Sequence, residues 1–373
     1  MDALMLPLNW QKVRLGDIGK PCMCKRVMKH QTTRYGEIPF YKIGTFGNTA
    51  DAFISKKLFL EYKTKYSFPK KGDILISASG TIGRAVIYDG KPAYFQDSNI
   101  VWIDNDETLV KNDFLFYAYS NVKWNTEHTT ILRLYNDNFR NTLIPLPPLN
   151  EQSAIANILG ALDRYLCALD ALILKKEGVK KSLSFELLSQ RKRLKGFNQA
   201  WQRVRLGDIA NYLTSNLSVE QITQQGEIKV YDVNNFIGYT DTTFISDKPY
   251  ISIVKDGSVG RVRILPPKTN ILSTMGALIA NHRTTTEFLF YLLSNFDFKN
   301  FTSGSIIPHI YFKDYKEKTI FLPPLNEQIA IANILSALDN EIASLKNKKR
   351  QFENIKKALN HDLMSAKIRV LEK

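Results

Sequence analysis

The side chains that could perform chemistry are few and scattered in this sequence. Glu151 and Glu327 occur in identical surroundings, and a pair of carboxylates can act as general acid and base. Each follows a Pro-Pro-Leu-Asn string, however, which favours a capping role at the start of a helix. Cys22 and Cys24 are too close together for a zinc site and lack a second ligand pair. No H-x-x-x-H spacing occurs among the histidines, which are His30, His128, His282, His309 and His361.

The glycine-rich strings do not predict a cofactor site either. GTIGR at 80–84 and GSVGR at 257–261 lie among strand-like segments, which favours tight turns over a phosphate cradle. The sequence has no G-x-x-x-x-G-K-[ST] loop and no [DNS]-P-P-[YFW] tetrapeptide of the amino-methyltransferases. We therefore expect a chain that is not an enzyme, binds no metal and holds no cofactor of its own.

The charge of the chain indicates a polyanionic partner. Its 373 residues include 51 Lys and Arg against 36 Asp and Glu, a net charge of +15. DNA, RNA or an anionic membrane surface would fit that charge, and a basic chain whose charge serves only solubility is the alternative. There is no apolar run of roughly 20 residues and no signal-peptide pattern, and three cysteines imply no disulfide framework. These features predict a cytoplasmic protein without a membrane partner.

Two sequence motifs occur twice. LPPLNEQSAIANILGALD at 146–163 recurs as LPPLNEQIAIANILSALD at 322–339, with only two substitutions. WQKVRLGDI at 10–18 recurs as WQRVRLGDI at 201–209. The second insert between the motifs is 15 residues shorter than the first, and the two inserts barely match. Near-identical frames around dissimilar inserts favour two different readers over a duplicated enzyme, which would keep its active sites alike.

Each LPPL string is followed by apolar residues in steps of three and four, the pattern of a coiled-coil seam. In the first copy the seam comprises Ile155, Leu159, Leu162, Leu166, Leu169, Ile173, Leu183 and Leu187. We expect two helices of about 40 residues, roughly 60 Å long, that begin at Asn150 and Asn326 and pair antiparallel with each other. Gly178 is expected to weaken or bend the first helix.

The inserts are rich in strand-like sequence, for example at 72–90 and 93–103, with short helices expected at 112–121 and 286–295. The predicted fold class is α+β, with a pseudo-two-fold internal repeat. It has two strand-rich α/β domains separated by the two helices. The predicted segments are 1–147 and 195–323 for the domains, and 148–194 and 324–373 for the helices.

The paired LPPLNEQ segments, each opening a long helix, and the W-x-x-V-x-L-G-D segment before each insert resemble the specificity subunits of type I restriction–modification systems. The resemblance covers essentially the whole chain. It implies that each insert is a target recognition domain that reads one short block of base pairs, and that the helices form a rigid spacer. It also implies that the frame docks two modification subunits, which bring S-adenosylmethionine and the methyl-transfer site. Restriction subunits would bring ATP, Mg and cleavage.

Two unlike readers on a spacer predict a bipartite, non-palindromic site in double-stranded DNA, with a gap set by helix length. Two alternatives stay open. One is a relative whose single partner carries both methylation and cleavage. The other is a structural coiled-coil protein whose domains bind protein or RNA.

Basic stretches interleaved with tyrosines predict a face that follows the DNA phosphates. Arg133 and His309 are the preferred base-edge candidates, because both lie in polar loops just before the second frame motif and the resembled family often has such a loop near DNA. Arg84 and Arg261 occupy the same position in the two Gly turns. A residue that both inserts keep suits contact with the DNA backbone or a structural role better than base choice. The full set of candidate DNA contacts is Lys25, Arg26, Arg34, Lys63, Lys65, Arg84, Thr130, Arg133, Arg261, Arg263, Ser303, Ser305 and His309. The residues expected to form the helix frame or dock partners are Asn150, Glu151, Gln152, Asn326, Glu327 and Gln328.

Overall fold

The computed structural model describes residues 7–128, 132–304 and 306–370. The chain forms two compact units, one from the residues up to Leu169 together with those from Lys348 onwards, the other from Asp170 to Asn347. Each unit contains one strand-rich domain, the first half of one long helix and the second half of the other. We call residues 7–147 the first domain and residues 195–323 the second domain.

The first domain contains eleven strands and four short helices among its described residues. The strands are β1 (Gln11–Arg14), β2 (Gly19–Met23), β3 (Ile38–Tyr41), β4 (Phe53–Ile54), β5 (Ile74–Ser77), β6 (Ala85–Ile87), β7 (Tyr94–Phe95), β8 (Ile100–Asn105), β9 (Glu127–His128), β10 (Leu132–Arg133) and β11 (Leu143–Leu146). The helices are α1 (Leu15–Ile18), α2 (Lys56–Lys65), α3 (Asn112–Tyr119) and α4 (Asn136–Asn141).

These strands form four small sheets. The largest has the order β2-β8-β5-β6 and is antiparallel throughout. A second has the order β4-β3-β7, in which β3 and β7 run parallel. Strand β1 pairs with β11, so the two ends of the domain lie side by side, and β9 pairs with β10 as a hairpin.

After α5 (Leu149–Leu188), the second domain repeats this plan. Its strands are β12 (Gln202–Arg205), β13 (Ala210–Thr214), β14 (Ile228–Tyr231), β15 (Phe236–Thr240), β16 (Tyr250–Val254), β17 (Val262–Leu265), β18 (Thr269–Ile271), β19 (Met275–Ala280), β20 (Thr302–Ser303), β21 (His309–Ile310) and β22 (Thr319–Leu322). Its helices are α6 (Thr286–Ser294) and α7 (Phe312–Tyr315), and α8 (Leu325–Met364) follows. The sheet orders β13-β19-β16-β17, β15-β14-β18, β12-β22 and β20-β21 match those of the first domain one for one.

Helix α2 distinguishes the two domains. It lies between β4 and β5, where the second domain has only a short connection between β15 and β16. The hydroxyl of Ser55 accepts the backbone N–H of Leu58 at 3.2 Å and caps its start. The predicted short helices at 112–121 and 286–295 correspond to α3 and α6. Most of the length difference between the inserts is therefore one basic helix.

The long helices begin one residue earlier than expected, at Leu149 and Leu325, so Asn150 and Asn326 are not the N-caps. The reason is that backbone N–H groups of the first turn bond the carbonyls of Pro148 and Pro324. Helix α5 continues without interruption through Gly178. Both helices end before the predicted limits of 194 and 373, because Gln190 and Ala366 adopt left-handed backbone with φ of 62° and 57°.

The apolar seam serves two purposes. Near the start of each helix it enters the domain core: Ile155 and Leu159 pack with Phe114 and Ile144 in the first unit, and the second unit repeats this. Further along, the helices pack antiparallel within each unit. The first unit has the contacts Asp163–Lys356 and Tyr165–Phe352 and the second has Lys176–Glu341 and Lys180–Asp339, so residue numbers rise on one helix as they fall on the other. No helix within the described residues is both long and apolar enough to cross a membrane.

Candidate nucleic-acid interface

A buried clasp, repeated in both units, holds each domain on the helices. In the first unit the indole N–H of Trp10 donates to Glu151 at 3.0 Å, and the guanidinium of Arg369 binds the same carboxylate at 2.7 Å. In the second unit Trp201 donates to Glu327 at 3.0 Å and Arg193 binds it at 2.6 Å. The glutamate side chains are only 3% and 1% exposed. We call these two sets the Trp–Glu–Arg clasps.

The glutamine of each NEQ string makes a second repeated connection. The amide of Gln152 donates to the carbonyls of Leu109 and Pro147, and its oxygen accepts the N–H of Lys111 at 2.8 Å. Gln328 makes the corresponding bonds to Arg283 and Pro323 and accepts the N–H of Thr285. Each glutamine thus anchors the loop that leads into α3 or α6, and every hydrogen-bonding group of its amide is occupied by backbone.

A third repeated contact lies about three helical turns beyond the clasp on each long helix. The hydroxyl of Tyr117 donates to Asp163 at 2.7 Å, and Lys356 pairs with the same carboxylate. In the second unit Tyr291 donates to Asp339 at 2.9 Å and Lys180 pairs with it. Burial and the bond to the carboxylate raise the pKa of both tyrosines well above the ordinary value, so both stay neutral donors. These contacts tie each domain to both helices of its unit.

These contacts fit one of the two roles expected for the NEQ strings, that of a helix frame, for Glu and Gln, whereas Asn150 and Asn326 are exposed. Glu151, Gln152, Glu327 and Gln328 are almost fully buried, so they form the helix frame and offer no surface to a docking partner. Glu151 and Glu327 are clasp carboxylates rather than caps. Sequence reasoning missed Arg193 and Arg369, although L-[LM]-S-x-[RK]-x-R occurs at the end of both helices with the same spacing as LPPLNEQ.

Two of the predicted contacts, Arg26 and Arg133, line one cleft of about 550 Å³ in the first domain. The guanidinium of Arg26 pairs with Asp97 at 2.9 Å. That of Arg133 donates to the carbonyl of Ser98 at 3.1 Å. Ser98 adopts left-handed backbone, with a φ of 59°. Sequence reasoning did not single out four further polar residues of this cleft, which are Thr32, Lys42, Gln96 and Asn99.

Three other basic candidates of the first domain, Lys25, Lys63 and Lys65, lie on or beside α2. The ammonium of Lys63 lies 5.3 Å from the ring of Phe68, and that of Lys25 lies 5.0 Å from the ring of Tyr66. Lys65 pairs with Glu61 on the helix surface. Arg34 is exposed in the loop before β3. This side of the domain combines positive charge with aromatic faces, a composition suited to phosphate and sugar contacts.

The arginines at the Gly turns bind the protein itself. Arg84 donates to the carbonyl of Phe46 at 2.9 Å in the loop after β3. Arg261 donates to the side chain of Asn234 at 3.2 Å in the corresponding loop after β14. Arg263 binds two carbonyls of that loop, those of Asp232 and Asn234. Both turns therefore use an arginine to fix a neighbouring loop.

The second base-edge candidate, His309, lies in the β20–β21 hairpin opposite Ser303. Its Nδ1 lies 2.6 Å from a carboxylate oxygen of Asp256, which sequence reasoning also missed. Thr130 and Ser305 lie outside the described residues. Among those that are described, no group of three or more His, Cys, Asp or Glu residues is placed to hold a metal ion.

The sequence profile of a family described as "Type I restriction modification DNA specificity domain" matches residues 7–176 and 198–354. A putative type I restriction enzyme specificity subunit of Haemophilus influenzae is 64% identical over 148 residues, which are 39% of this chain and 38% of that protein. The MjaVIII specificity subunit of Methanocaldococcus jannaschii is 25% identical, with 99% of this chain and 95% of that protein covered.

Among solved structures, a type I restriction–modification S subunit from M. genitalium is similar in fold. Its TM-score is 0.65 at 19% identity, with 97% of this chain and 98% of that chain covered. The profile matches fall on the two structural repeats described above, one match to each domain and most of the helix that follows it. The chain therefore belongs to the family of type I restriction–modification specificity proteins.

Proposed function

We propose that this chain is the DNA specificity subunit of a type I restriction–modification complex, in which two domains read two unlike blocks of one bipartite target. The observation that carries this proposal is the duplication itself. Both domains are fastened by the same clasps, yet their exposed loops differ in length and sequence. A frame that is kept and a surface that varies are what two different readers on one scaffold require.

The surface chemistry supports duplex DNA as the ligand. Lys25 and Lys63 lie near aromatic rings on one side of the first domain, and Lys65 lies on the same helix as Lys63, so all three suit phosphate contacts. The cleft that holds Arg26 and Arg133 offers polar groups that suit base edges. The net charge of +15 would make affinity steeply dependent on salt.

The chain itself has no catalytic role in this proposal, and it binds no cofactor. Two modification subunits supply S-adenosylmethionine and methyl transfer, and restriction subunits supply ATP-driven translocation, Mg and cleavage. The complex acts in the cytoplasm, where its DNA substrate lies. Because the Glu and Gln of each NEQ string are buried, the modification subunits would contact exposed side chains of the helices and domains instead.

The test is methylation sequencing of a host that carries the modification subunit with and without this chain. We expect one bipartite adenine-methylated motif that disappears when the chain is absent. Methylation by the purified chain alone would contradict its non-catalytic role. A motif that persists without the chain would contradict the specificity function.

Duplex DNA binding by the purified complex separates this proposal from a coiled-coil protein whose domains bind protein or RNA. We expect the logarithm of the binding constant to fall linearly with the logarithm of salt concentration, and competition by DNA carrying the motif. Preference for single-stranded or duplex RNA over that DNA would favour the alternative.

A further inference from the structure

The β9–β10 hairpin of the first domain and the β20–β21 hairpin of the second are attached at the same place in their domains. In the first domain, Arg133 forms a bridge with Ser79 just after β5, and Leu134 N–H bonds the carbonyl of Ala78 at 2.9 Å. In the second domain, His309 forms a bridge with Asp256 just after β16, the counterpart of β5. Ile310 N–H bonds the carbonyl of Lys255 at 2.9 Å. Arg133 and His309 thus occupy equivalent backbone positions.

What differs is the side chain that each attachment presents. The clasp residues are identical in the two units, and Arg84 and Arg261 are also identical and both fix a loop. At the hairpin attachment the backbone bonds are kept while Arg is replaced by His and Ser79 by Asp256. Side chains that are equivalent in position but different in chemistry are what two readers of different bases need.

The first attachment is equipped for guanine. The guanidinium of Arg133 is partly fixed by its bond to the Ser98 carbonyl, and it lies 6.0 Å from the ring of Tyr135. It lines the cleft with Gln96 and Asn99, so polar groups surround it. A guanidinium has only donors, and its fork matches the two acceptors that guanine presents in the major groove.

The second attachment is equipped for a different base. The Nδ1 of His309 lies 2.6 Å from a carboxylate oxygen of Asp256, and because a carboxylate can only accept, this pairing assigns the proton to Nδ1. The histidine side chain is 36% exposed. A neutral imidazole held in this tautomer has an acceptor at Nε2. In the major groove the donors that match such an acceptor are the amino groups of adenine and cytosine.

We infer that Arg133 and His309 are the equivalent specificity-determining residues of the two domains, that Arg133 reads guanine, and that Asp256 orients His309 to read adenine or cytosine. This inference rests on the proposed function. One position in each domain then selects the base. The remaining basic candidates contact the DNA backbone or hold the protein frame together.

The experiment uses the full chain co-expressed with its modification subunit, with the methylated motif read by genome sequencing. Arg133→Gln should shift one position of one half-site from guanine towards adenine, since Gln pairs with adenine, and should leave the other half-site unchanged. The preference for the original base should fall roughly 5- to 100-fold, the range typical of one specific base contact. His309→Ala should relax one position of the opposite half-site by a similar factor.

Asp256→Asn tests the orienting role of the carboxylate. Because an amide can bond either tautomer of His309, the preference for adenine or cytosine should broaden while the imidazole remains. An unchanged motif in the Asp256→Asn variant would overturn the role assigned to Asp256. If the wild-type motif has guanine at the position that His309→Ala relaxes, the tautomer assigned to His309 is wrong.

Exposed residues of the same types serve as matched controls, Arg140→Gln in the first domain and His282→Ala in the second. Both should leave the motif unchanged. The unaffected half-site reports that each variant still folds. If the wild-type chain directs no bipartite methylation, the proposed function fails. If it does, but Arg133→Gln and His309→Ala keep the original motif or alter both half-sites, the inference on the hairpins alone is wrong.

Discussion

At the scale of single residues, the duplicated motifs are explained by what their side chains bind. Glu151 accepts from an indole and a guanidinium while nearly excluded from water, and Gln152 satisfies three backbone groups. Replacing either residue leaves a buried polar group without its partner, which costs about 1 to 3 kcal/mol per group. The buried hydrogen bonds therefore explain why these residues are the same in both copies, without any contact to DNA.

The three cysteines make a prediction at this scale, because their surroundings differ. Burial raises the pKa of the Cys24 thiol to about 12 and also raises that of Cys22, whereas Cys167 is exposed on α5. Since the thiolate is the reactive form, Cys24 stays protonated at pH 8 and should resist alkylation. We expect Cys167 to react fastest with iodoacetamide, measured by peptide mass spectrometry.

Unfolding in urea provides the control, because it exposes all three thiols and should make their labelling rates similar. Rapid labelling of Cys24 in the native chain would contradict the packing of Cys24 with Tyr94 and Phe95 in the first-domain core.

At the scale of elements, the helix ends matter as much as the helix starts. Gln190 and Ala366 terminate α5 and α8 with left-handed backbone, and the chain then turns back. The N–H of Lys192 bonds the carbonyl of Glu186, and that of Ile368 bonds the carbonyl of Asp362, each across six residues. Because both ends turn alike, each places an arginine three residues later against a clasp glutamate.

Removing one clasp arginine should weaken only one domain. Arg369→Ala leaves the carboxylate of Glu151 buried without its cation, and breaking a buried pair in this way costs about 3 kcal/mol. We expect faster hydrogen exchange across the first domain, with protection of the second domain unchanged. Arg193→Ala should have the opposite pattern, and each variant is the control for the other. Equal loss of protection in both domains would be inconsistent with two separate clasps.

At the scale of the whole molecule, the second unit interrupts the first along the sequence. The first unit takes its second helical segment and its clasp arginine from the C-terminal part of the chain, whereas the second unit is continuous in sequence. Residues 365–370 therefore bring the clasp arginine to the first domain, as the connection after α5 does for the second domain. The first unit is therefore complete only when the chain extends through Arg369.

A domain exchange tests independence at this scale. Replacing residues 18–145 by the matching insert of another family member keeps Trp10, α5 and α8, and hence both clasps. We expect the methylated motif to change in one half-site and to keep the other. The reciprocal exchange of the insert between the second pair of frame motifs is the control. A change in both half-sites would mean that the two domains do not read independently.

The sequence by itself determined the repeat, the two long helices, the strand-rich domains and the family. These follow from local signals, because LPPLNEQ, W-x-x-V-x-L-G-D and the spacing of apolar residues are properties of neighbours along the chain. It also identified Arg133 and His309 as matching positions, since both precede a frame motif. The base contacts assigned to them stay a prediction.

Tertiary structure alone decided the partners of these residues. The pairing of Arg369 with Glu151 joins positions 218 residues apart, and that of His309 with Asp256 joins positions 53 apart. Glu151 was expected to cap a helix, but it is a buried carboxylate of the clasp. Its burial depends on Trp10, Arg369 and the domain core together. Such contacts have no signature in local periodicity, because they form only when distant segments pack around one another and water is excluded.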